Sequence, residues 1–114
     1  MSDAIRVCRR DALGDGVRVV PLSKDERGRP REALVLLDEE GTLRAYLNRC
    51  EHLPIPLDAG SREFLSADRR YLVCGTHGAL YRLGDGFCVE GPCAGRSLLA
   101  LPVRVDEGWV EIEV

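Results

Sequence analysis

The segment LPVRVDEGWVEIEV, residues 101–114, carries the clearest structural pattern in the chain. Apolar residues occupy every second position on both sides of the turn Asp106-Glu107-Gly108. Because successive side chains of a β-strand point to opposite faces, this period of two residues is typical of a strand with one buried face. The segment therefore predicts two strands joined by a tight turn.

Short apolar segments recur upstream, separated by polar stretches rich in glycine. They lie at Val17–Val20, Ala33–Leu37, Leu43–Leu47 and Tyr71–Val73. Gly41 is expected to close a hairpin between the second and the third of them. Since no segment keeps a 3.6-residue period, the sequence predicts an all-β domain, an antiparallel sandwich or barrel.

Length and composition bound the class of protein. The chain has 114 residues, which suits a single domain over 1–114. Aromatic residues make up only 5%, so the core is expected to consist of Val, Leu, Ile and Ala. The net charge of −3 lacks the basic excess of a nucleic-acid-binding protein. No apolar run could span a bilayer and the start of the chain lacks a signal peptide, so a cytoplasmic location without membrane contact is expected.

Two short motifs contain both histidines of the chain. They are Cys50-Glu51-His52 and Cys74-Gly75-Thr76-His77, and both lie between predicted strands. Thiolate and imidazole ligands suit iron and zinc alike. A structural Cys2His2 zinc site is therefore an alternative, although the spacing of Cys50 and His52 is unusual for zinc.

The two motifs resemble those of the Rieske iron–sulfur family, in which Cys-x-His and Cys-x-x-His are followed by glycine, here Gly78. The likeness extends to the aromatic residue at Tyr81 and to Gly91-Pro92, which is similar to the proline loop that covers the cluster in this family. The resemblance implies an all-β Rieske-like fold with a loop-built cluster-binding subdomain. The loops of this subdomain would lie at about 48–60, 74–81 and 90–96. Functional residues often lie on loops that a rigid scaffold positions.

The resemblance also implies a [2Fe–2S] cluster as the cofactor. Cys50 and Cys74 would bind one iron, and His52 and His77 the other. Clusters of this type have reduction potentials of about −150 to +300 mV, because neutral imidazoles replace two thiolates.

Three positions depart from the high-potential members of the family. Ile55 and Thr76 stand where those members have a pair of disulfide-forming cysteines. Ala79 stands where they have a serine whose hydroxyl bonds to a cluster sulfur. Tyr81 is retained and is expected to donate to a cysteine sulfur, so the potential is expected in the lower or middle part of the range.

The remaining cysteines are not expected to be ligands. Cys8 and Cys88 lie in strand-like stretches and are expected to be small buried residues. Cys93 follows Pro92 in the covering loop and is expected to be an inert thiol; the alternatives are that it tunes the site or pairs with Cys88.

The function expected from these features is one-electron transfer without catalysis, from a reductase to an oxygenase or a similar acceptor enzyme. The chain has no further histidine for a non-haem iron and no G-x-G-x-x-G dinucleotide motif. Two alternatives are an accessory redox subunit of a larger reductase of the nitrite-reductase type and a zinc-binding interaction domain. The sequence does not indicate the oligomeric state.

Overall fold

A computed structural model describes residues 4–14, 16–49, 64–74, 78–92 and 94–113. Within these ranges the chain forms nine β-strands and one 3₁₀ turn, Arg10–Ala12. The strands are β1 Ala4–Arg9, β2 Arg18–Leu22, β3 Arg31–Leu37, β4 Leu43–Leu47, β5 Tyr71–Val73, β6 Leu80–Arg82, β7 Cys88–Glu90, β8 Val103–Asp106 and β9 Trp109–Glu113. In the same ranges, no helix is long and apolar enough to cross a membrane.

The strands pair antiparallel in three sheets, which confirms the predicted all-β class. The terminal sheet has the order β1-β9-β8, the middle sheet β2-β3-β4 and the short sheet β5-β6-β7. Both predicted hairpins are present. Gly41, with a φ of 79°, lies in the β3–β4 turn, and Asp106 pairs with Trp109 across the β8–β9 turn.

The middle sheet forms the central layer, because both of its faces are buried. Leu34 and Leu36 on β3 pack into a core shared with the short sheet. Ala33 and Val35, which point the other way, pack into a second core shared with the terminal sheet. A strand buried on both faces requires a continuous apolar run, and Ala33–Leu37 provides it.

Tyrosines contribute more to the core than the composition indicated. Tyr46 and Tyr81 are the largest fully buried side chains among the described residues, and most of the other buried core residues are Leu, Val, Ile and Ala, as expected. The Tyr46 hydroxyl donates a hydrogen bond of 2.6 Å to the carbonyl oxygen of Leu83, which satisfies the buried polar group. Burial raises the pKa of Tyr46 to about 12.

Candidate metal centre

Cys74 is the predicted ligand that lies within the described residues, and it stands at the base of a closed loop. It directly follows β5 and its exposed fraction is 0%. Its N–H donates to the carbonyl oxygen of Ala79 at 2.9 Å, and the N–H of Gly78 donates to the carbonyl oxygen of Cys74 at 2.7 Å. These bonds extend the pairing of β5 with β6 and fix the backbone that carries the Cys74 thiol.

The other predicted ligands, Cys50, His52 and His77, lie outside the described residues. Within the described ranges, no three His, Cys, Asp or Glu side chains form a group that could hold a metal ion. The full ligand set therefore remains a prediction from the sequence. The structure describes one of the predicted ligands, Cys74, and the residues that flank the two motifs.

The residues that flank the first motif are anchored to two strands. Before it, Asn48 is buried, donates its N–H to the carbonyl oxygen of Glu32 at 2.8 Å, and donates Nδ2–H to Glu32 Oε1 at 3.1 Å. After it, Phe64 is buried and accepts a hydrogen bond of 2.8 Å from the N–H of Val73. Since Val73 precedes Cys74, the chain returns from the first motif directly beside the second.

An ion pair holds the residue that precedes Cys50. The Arg49 guanidinium donates to Asp25 Oδ2 at 3.3 Å, and the Arg29 Nε–H donates to the same oxygen at 2.9 Å. Asp25 lies in the β2–β3 turn, which reaches the same end of the middle sheet as the end of β4. The Asp25 side chain is 15% exposed, so this pair is better shielded from water than an ordinary surface pair.

The two turns of the middle sheet repeat the same local motif. In the β2–β3 turn, Asp25 Oδ1 accepts from the N–H groups two and four residues later, at 2.9 and 2.8 Å. In the β3–β4 turn, Asp38 Oδ1 accepts from the residues at the same offsets, both at 2.9 Å. Gly28 and Gly41, three residues after each aspartate, both have a positive φ. The aspartate side chain thus closes each turn, as Asx turns do.

Hydrogen bonding stabilises the ionised form of Asp25. The N–H of Arg29, aided by the N–H of Arg27 and the Arg29 guanidinium, lowers the pKa of Asp25 from 3.8 to about 2, against the opposing effect of desolvation. A lowered folded-state pKa means that ionised Asp25 stabilises the folded protein above its unfolded pKa of 3.8. This contribution is lost as the pH falls through the folded value of about 2.

Asp25→Asn is therefore expected to lower the free energy of unfolding at pH 7, with a difference from wild type that shrinks between pH 4 and pH 2. Urea unfolding followed by far-ultraviolet circular dichroism at a series of pH values measures this difference. A difference that stays constant down to pH 2 would contradict the role assigned to the carboxylate.

Asp38→Asn is the matched control, because its carboxylate closes an equivalent turn at the opposite end of β3. Its pKa is also lowered, by hydrogen bonds from Thr42, Arg44 and Glu40 that outweigh desolvation. Both variants are expected to lose stability. Only Asp25→Asn is expected to alter the visible circular dichroism of the metal centre, since only Asp25 binds Arg49.

A third backbone segment packs closely against the Cys74 loop. Gly91 has a φ of 103°, and a Cβ atom placed there would lie 2.7 Å from Ala79 Cα. The Cys88 N–H donates to the carbonyl oxygen of Arg96 at 2.7 Å, which closes the segment on itself. The predicted covering residue Gly91 therefore contacts the Cys74 loop, and Pro92, which follows it, is exposed.

The boundaries of the predicted loops differ slightly from the strands. β6 begins at Leu80, so the last two residues of the segment 74–81 belong to a strand rather than a loop. β7 ends at Glu90, the first residue of the segment 90–96. Residues 50–60 of the first segment lie outside the described residues.

The two other cysteines in the described ranges are buried, as predicted. Cys8 on β1 is 8% exposed and packs in the core beside the terminal sheet. Cys88 on β7 is fully buried in the same core as Cys74 and Tyr81, and its thiol donates to the carbonyl oxygen of Glu90 at 3.2 Å. Cys93 lies outside the described residues, and its expected inertness stays a prediction.

The described residues fit a thiolate ligand at Cys74. The thiol is fully buried on a backbone fixed by two hydrogen bonds, and the Gly91 backbone covers the adjacent Ala79 so closely that no side chain fits between them. Such a site excludes water. The second loop can approach this closely only at a residue without a side chain, which here is Gly91. Tyr81 lies in the same core, as its expected role beside a cysteine sulfur requires.

Sequence reasoning missed the anchors of the first motif, which are Asp25 for Arg49 and Glu32 for Asn48. The turn at Asp25 was detectable, because Asp followed three residues later by Gly occurs in both turns of the middle sheet. Its contact with Arg49 was not, since the two residues are 24 positions apart.

Comparison with known proteins gives one family and a set of similar structures. A sequence model of the family described as "Rieske [2Fe-2S] domain" matches residues 4–105. No curated protein sequence matches the chain.

Among solved structures, the chain is similar to the ferredoxin of carbazole 1,9a-dioxygenase from Nocardioides aromaticivorans IC177. The two are 27% identical with a TM-score of 0.65, and the match covers 96% of this chain and 95% of the ferredoxin. A structure described as the small subunit of an NADH-dependent nitrite reductase from Mycobacterium tuberculosis is 20% identical, with a TM-score of 0.65 and coverage of 100% and 96%.

A larger protein contains a similar fold. A chain from the complex of oxygenase and ferredoxin of carbazole 1,9a-dioxygenase is 21% identical with a TM-score of 0.73. The match covers 96% of this chain but only 28% of that one. The fold described above thus occurs both as nearly an entire protein and as a fraction of a longer chain.

Proposed function

Because this chain belongs to the Rieske [2Fe–2S] domain family, we propose that it receives single electrons from a reductase and delivers them to an oxygenase or a similar acceptor enzyme. Membership confirms the resemblance seen in the two motifs and implies the predicted [2Fe–2S] cluster. Membership of this family also identifies the domain as a Rieske electron carrier. Our proposal concerns which proteins donate and accept its electrons.

Four side chains are proposed to hold the cluster. Cys50 and Cys74 would bind one iron through thiolates, and His52 and His77 would bind the other through imidazole nitrogens. When bound, the cluster supplies a one-electron redox couple. This assignment is supported by the full burial of Cys74 and by the two backbone hydrogen bonds at that residue, which would hold one sulfur ligand in place away from water.

A free ferredoxin is the first candidate. It is supported by the match with the carbazole 1,9a-dioxygenase ferredoxin, which is 27% identical and extends over 95% of that protein. Both histidines of the sequence belong to the proposed ligand set, so neither is left for a separate catalytic iron. A carrier without its own substrate chemistry accounts for both observations.

An accessory redox subunit of a larger reductase is the second candidate. It is supported by the match over 96% of the nitrite reductase small subunit from Mycobacterium tuberculosis. Isolation of the protein from its native cell distinguishes the two candidates. A ferredoxin elutes alone from size exclusion, whereas a subunit elutes with a large reductase chain in fixed ratio.

A redox titration monitored by electron paramagnetic resonance tests the proposed carrier. The reduced protein is expected to give one paramagnetic centre per chain, with a one-electron transition in the range of about −150 to +300 mV. Absence of a one-electron couple in protein purified without oxygen, or a colourless protein that contains zinc, would contradict the proposal.

A further inference from the structure

A basic groove lies at the end of the middle sheet from which the chain runs to Cys50. Its volume is about 480 Å³, and it lies between the β2–β3 turn and the residues that follow β4. Five of its lining side chains are basic: Lys24, Arg27, Arg29, Arg31 and Arg49. Two lining side chains, Asp25 and Glu26, are acidic.

The positive charge of the groove is only partly balanced from within. Asp25 is already bound by the guanidinium groups of Arg29 and Arg49. Arg31 Nε donates to a backbone carbonyl, that of Ser23, at 2.7 Å, which leaves its charge without compensation from this contact. The groove thus has a positive excess in a chain whose net charge is −3, so the remaining surface is more acidic than the whole.

The groove also offers an apolar contact. Leu99, one of its lining residues, is 56% exposed although it is a large aliphatic side chain. Its carbonyl oxygen accepts a hydrogen bond of 2.9 Å from the N–H of Leu47, which holds it beside the end of β4. The groove thus combines an exposed aliphatic side chain with several arginines, and arginine is enriched at protein interfaces.

From these features we infer that the groove is the docking surface for an acidic patch on a redox partner protein. This inference rests on the proposed function. Arg49 directly precedes the proposed ligand Cys50, so a partner seated in the groove contacts the residue that leads into the first ligand motif. Opposite charges at this position would steer the partner into register and speed its association.

A protein fits the groove better than a nucleic acid. The acidic side chains of Asp25 and Glu26 lie among the basic ones, and the rest of the chain carries a negative excess that would repel a polyanionic duplex. Leu99 offers an apolar contact that a protein surface can use and a phosphate backbone cannot.

Charge reversal tests the inference on the cluster-containing protein. A fluorescent 20-residue polyglutamate peptide serves as the acidic probe, with binding followed by anisotropy at about 0.1 M ionic strength, where the Debye length is about 10 Å and charges on the far side of the protein are screened. The double variant Lys24→Glu/Arg27→Glu is expected to weaken binding at least about tenfold, because two exposed cations become anions. The control Arg18→Glu/Arg70→Glu makes the same charge change at the far ends of β2 and β5 and is expected to alter binding less than about threefold.

Other occupants are distinguished in the same series. Equal losses in both double variants, or no binding of polyglutamate by wild type, would overturn the inference. Tighter binding of a 20-base-pair DNA duplex than of polyglutamate would assign the groove to nucleic acid instead. A wild-type dimer that the Lys24→Glu/Arg27→Glu change dissociates would assign it to a second copy of this chain, and this also overturns the inference.

A second experiment, on electron transfer, distinguishes failure of this inference from failure of the proposed function. Dithionite-reduced protein is mixed with hexacyanoferrate(III), and its oxidation is followed by visible absorption. The Lys24→Glu/Arg27→Glu variant is expected to react about three- to tenfold more slowly with this anion at about 0.1 M ionic strength, whereas the control variant, whose charges are screened at that distance, is not. A protein without a reducible cluster shows no reaction in any variant, which refutes the proposed function, while equal rates in all variants refute only the docking surface.

Discussion

Cys74→Ser is expected to abolish cluster binding while the β fold is retained. Cys74 is fully buried and its backbone is held by hydrogen bonds with Ala79 and Gly78, so the substitution removes a proposed sulfur ligand from a fixed position. Residues that merely orient ligands change metal affinity by about 10- to 100-fold, so loss of a ligand is expected to lower the bound iron at least about tenfold. Iron and acid-labile sulfide are measured per chain after purification without oxygen, alongside the visible spectrum.

Cys88→Ala and Cys8→Ala are the controls for this substitution. Both cysteines are buried, and Cys88 belongs to the same core as Cys74, so each variant removes a buried thiol without removing a proposed ligand. Both are expected to keep wild-type iron and sulfide. Full cluster content in Cys74→Ser, or its loss in Cys88→Ala with Cys74 intact, would show that the wrong sulfur has been assigned.

Gly91→Ala is expected to give the second large effect, by forcing the covering segment away from the Cys74 loop. The φ of Gly91 is 103°, and the new Cβ atom would meet Ala79 Cα at 2.7 Å, a backbone atom that cannot rotate away. The backbone strain costs about 1–2 kcal/mol and overpacking costs about 1–3 kcal/mol, so the free energy of unfolding should fall by about 2–5 kcal/mol. Chemical unfolding of the cluster-containing protein measures this loss, and the rate of cluster loss in air should rise.

Gly95→Ala provides the matched comparison within the same segment. Gly95 also has a positive φ, 93°, but an added Cβ atom would have no neighbour within 4 Å. This variant therefore carries only the backbone cost, about 1–2 kcal/mol, and should retain its cluster as long as wild type. If the two substitutions lowered the free energy of unfolding equally, the close contact between Gly91 and Ala79 would contribute nothing to the loss of stability.

Strands with a marked pattern were predictable from the sequence. Alternation in residues 101–114 identified β8 and β9, and the apolar run Ala33–Leu37 with Gly41 identified β3 and its hairpin with β4. In each case the signal is local, because the pattern, the turn and the partner strand lie within about a dozen residues.

Strand pairings between distant segments could not be predicted from local sequence patterns. β1 pairs with β9, and Ala4 faces Glu113 from the opposite end of the chain. Nothing local to either segment specifies such a partner. β6 is only three residues long, too short to display a period, and was included in a predicted loop.

In the candidate site, too, the local features were predictable from the sequence and the long-range contacts were not. The two Cys and His motifs were recognisable because their residue types and spacing are specific, and the structure adds that Cys74 is fully buried. The support of the site depends on contacts at long range, such as Arg49 with Asp25 and Gly91 with Ala79. Those contacts follow from the pairing of strands within the middle sheet and within the short sheet, which the motifs do not encode.

Pulsed electron paramagnetic resonance of the reduced protein, with its histidines labelled with ¹⁵N, tests the ligand assignment most directly. The chain has only His52 and His77, so every ¹⁵N coupling reports one of the two proposed nitrogen ligands. Couplings from two ¹⁵N nuclei are expected, and each single His→Cys variant should retain one. A reduced iron–sulfur signal without any ¹⁵N coupling would contradict ligation of the cluster by two cysteines and two histidines.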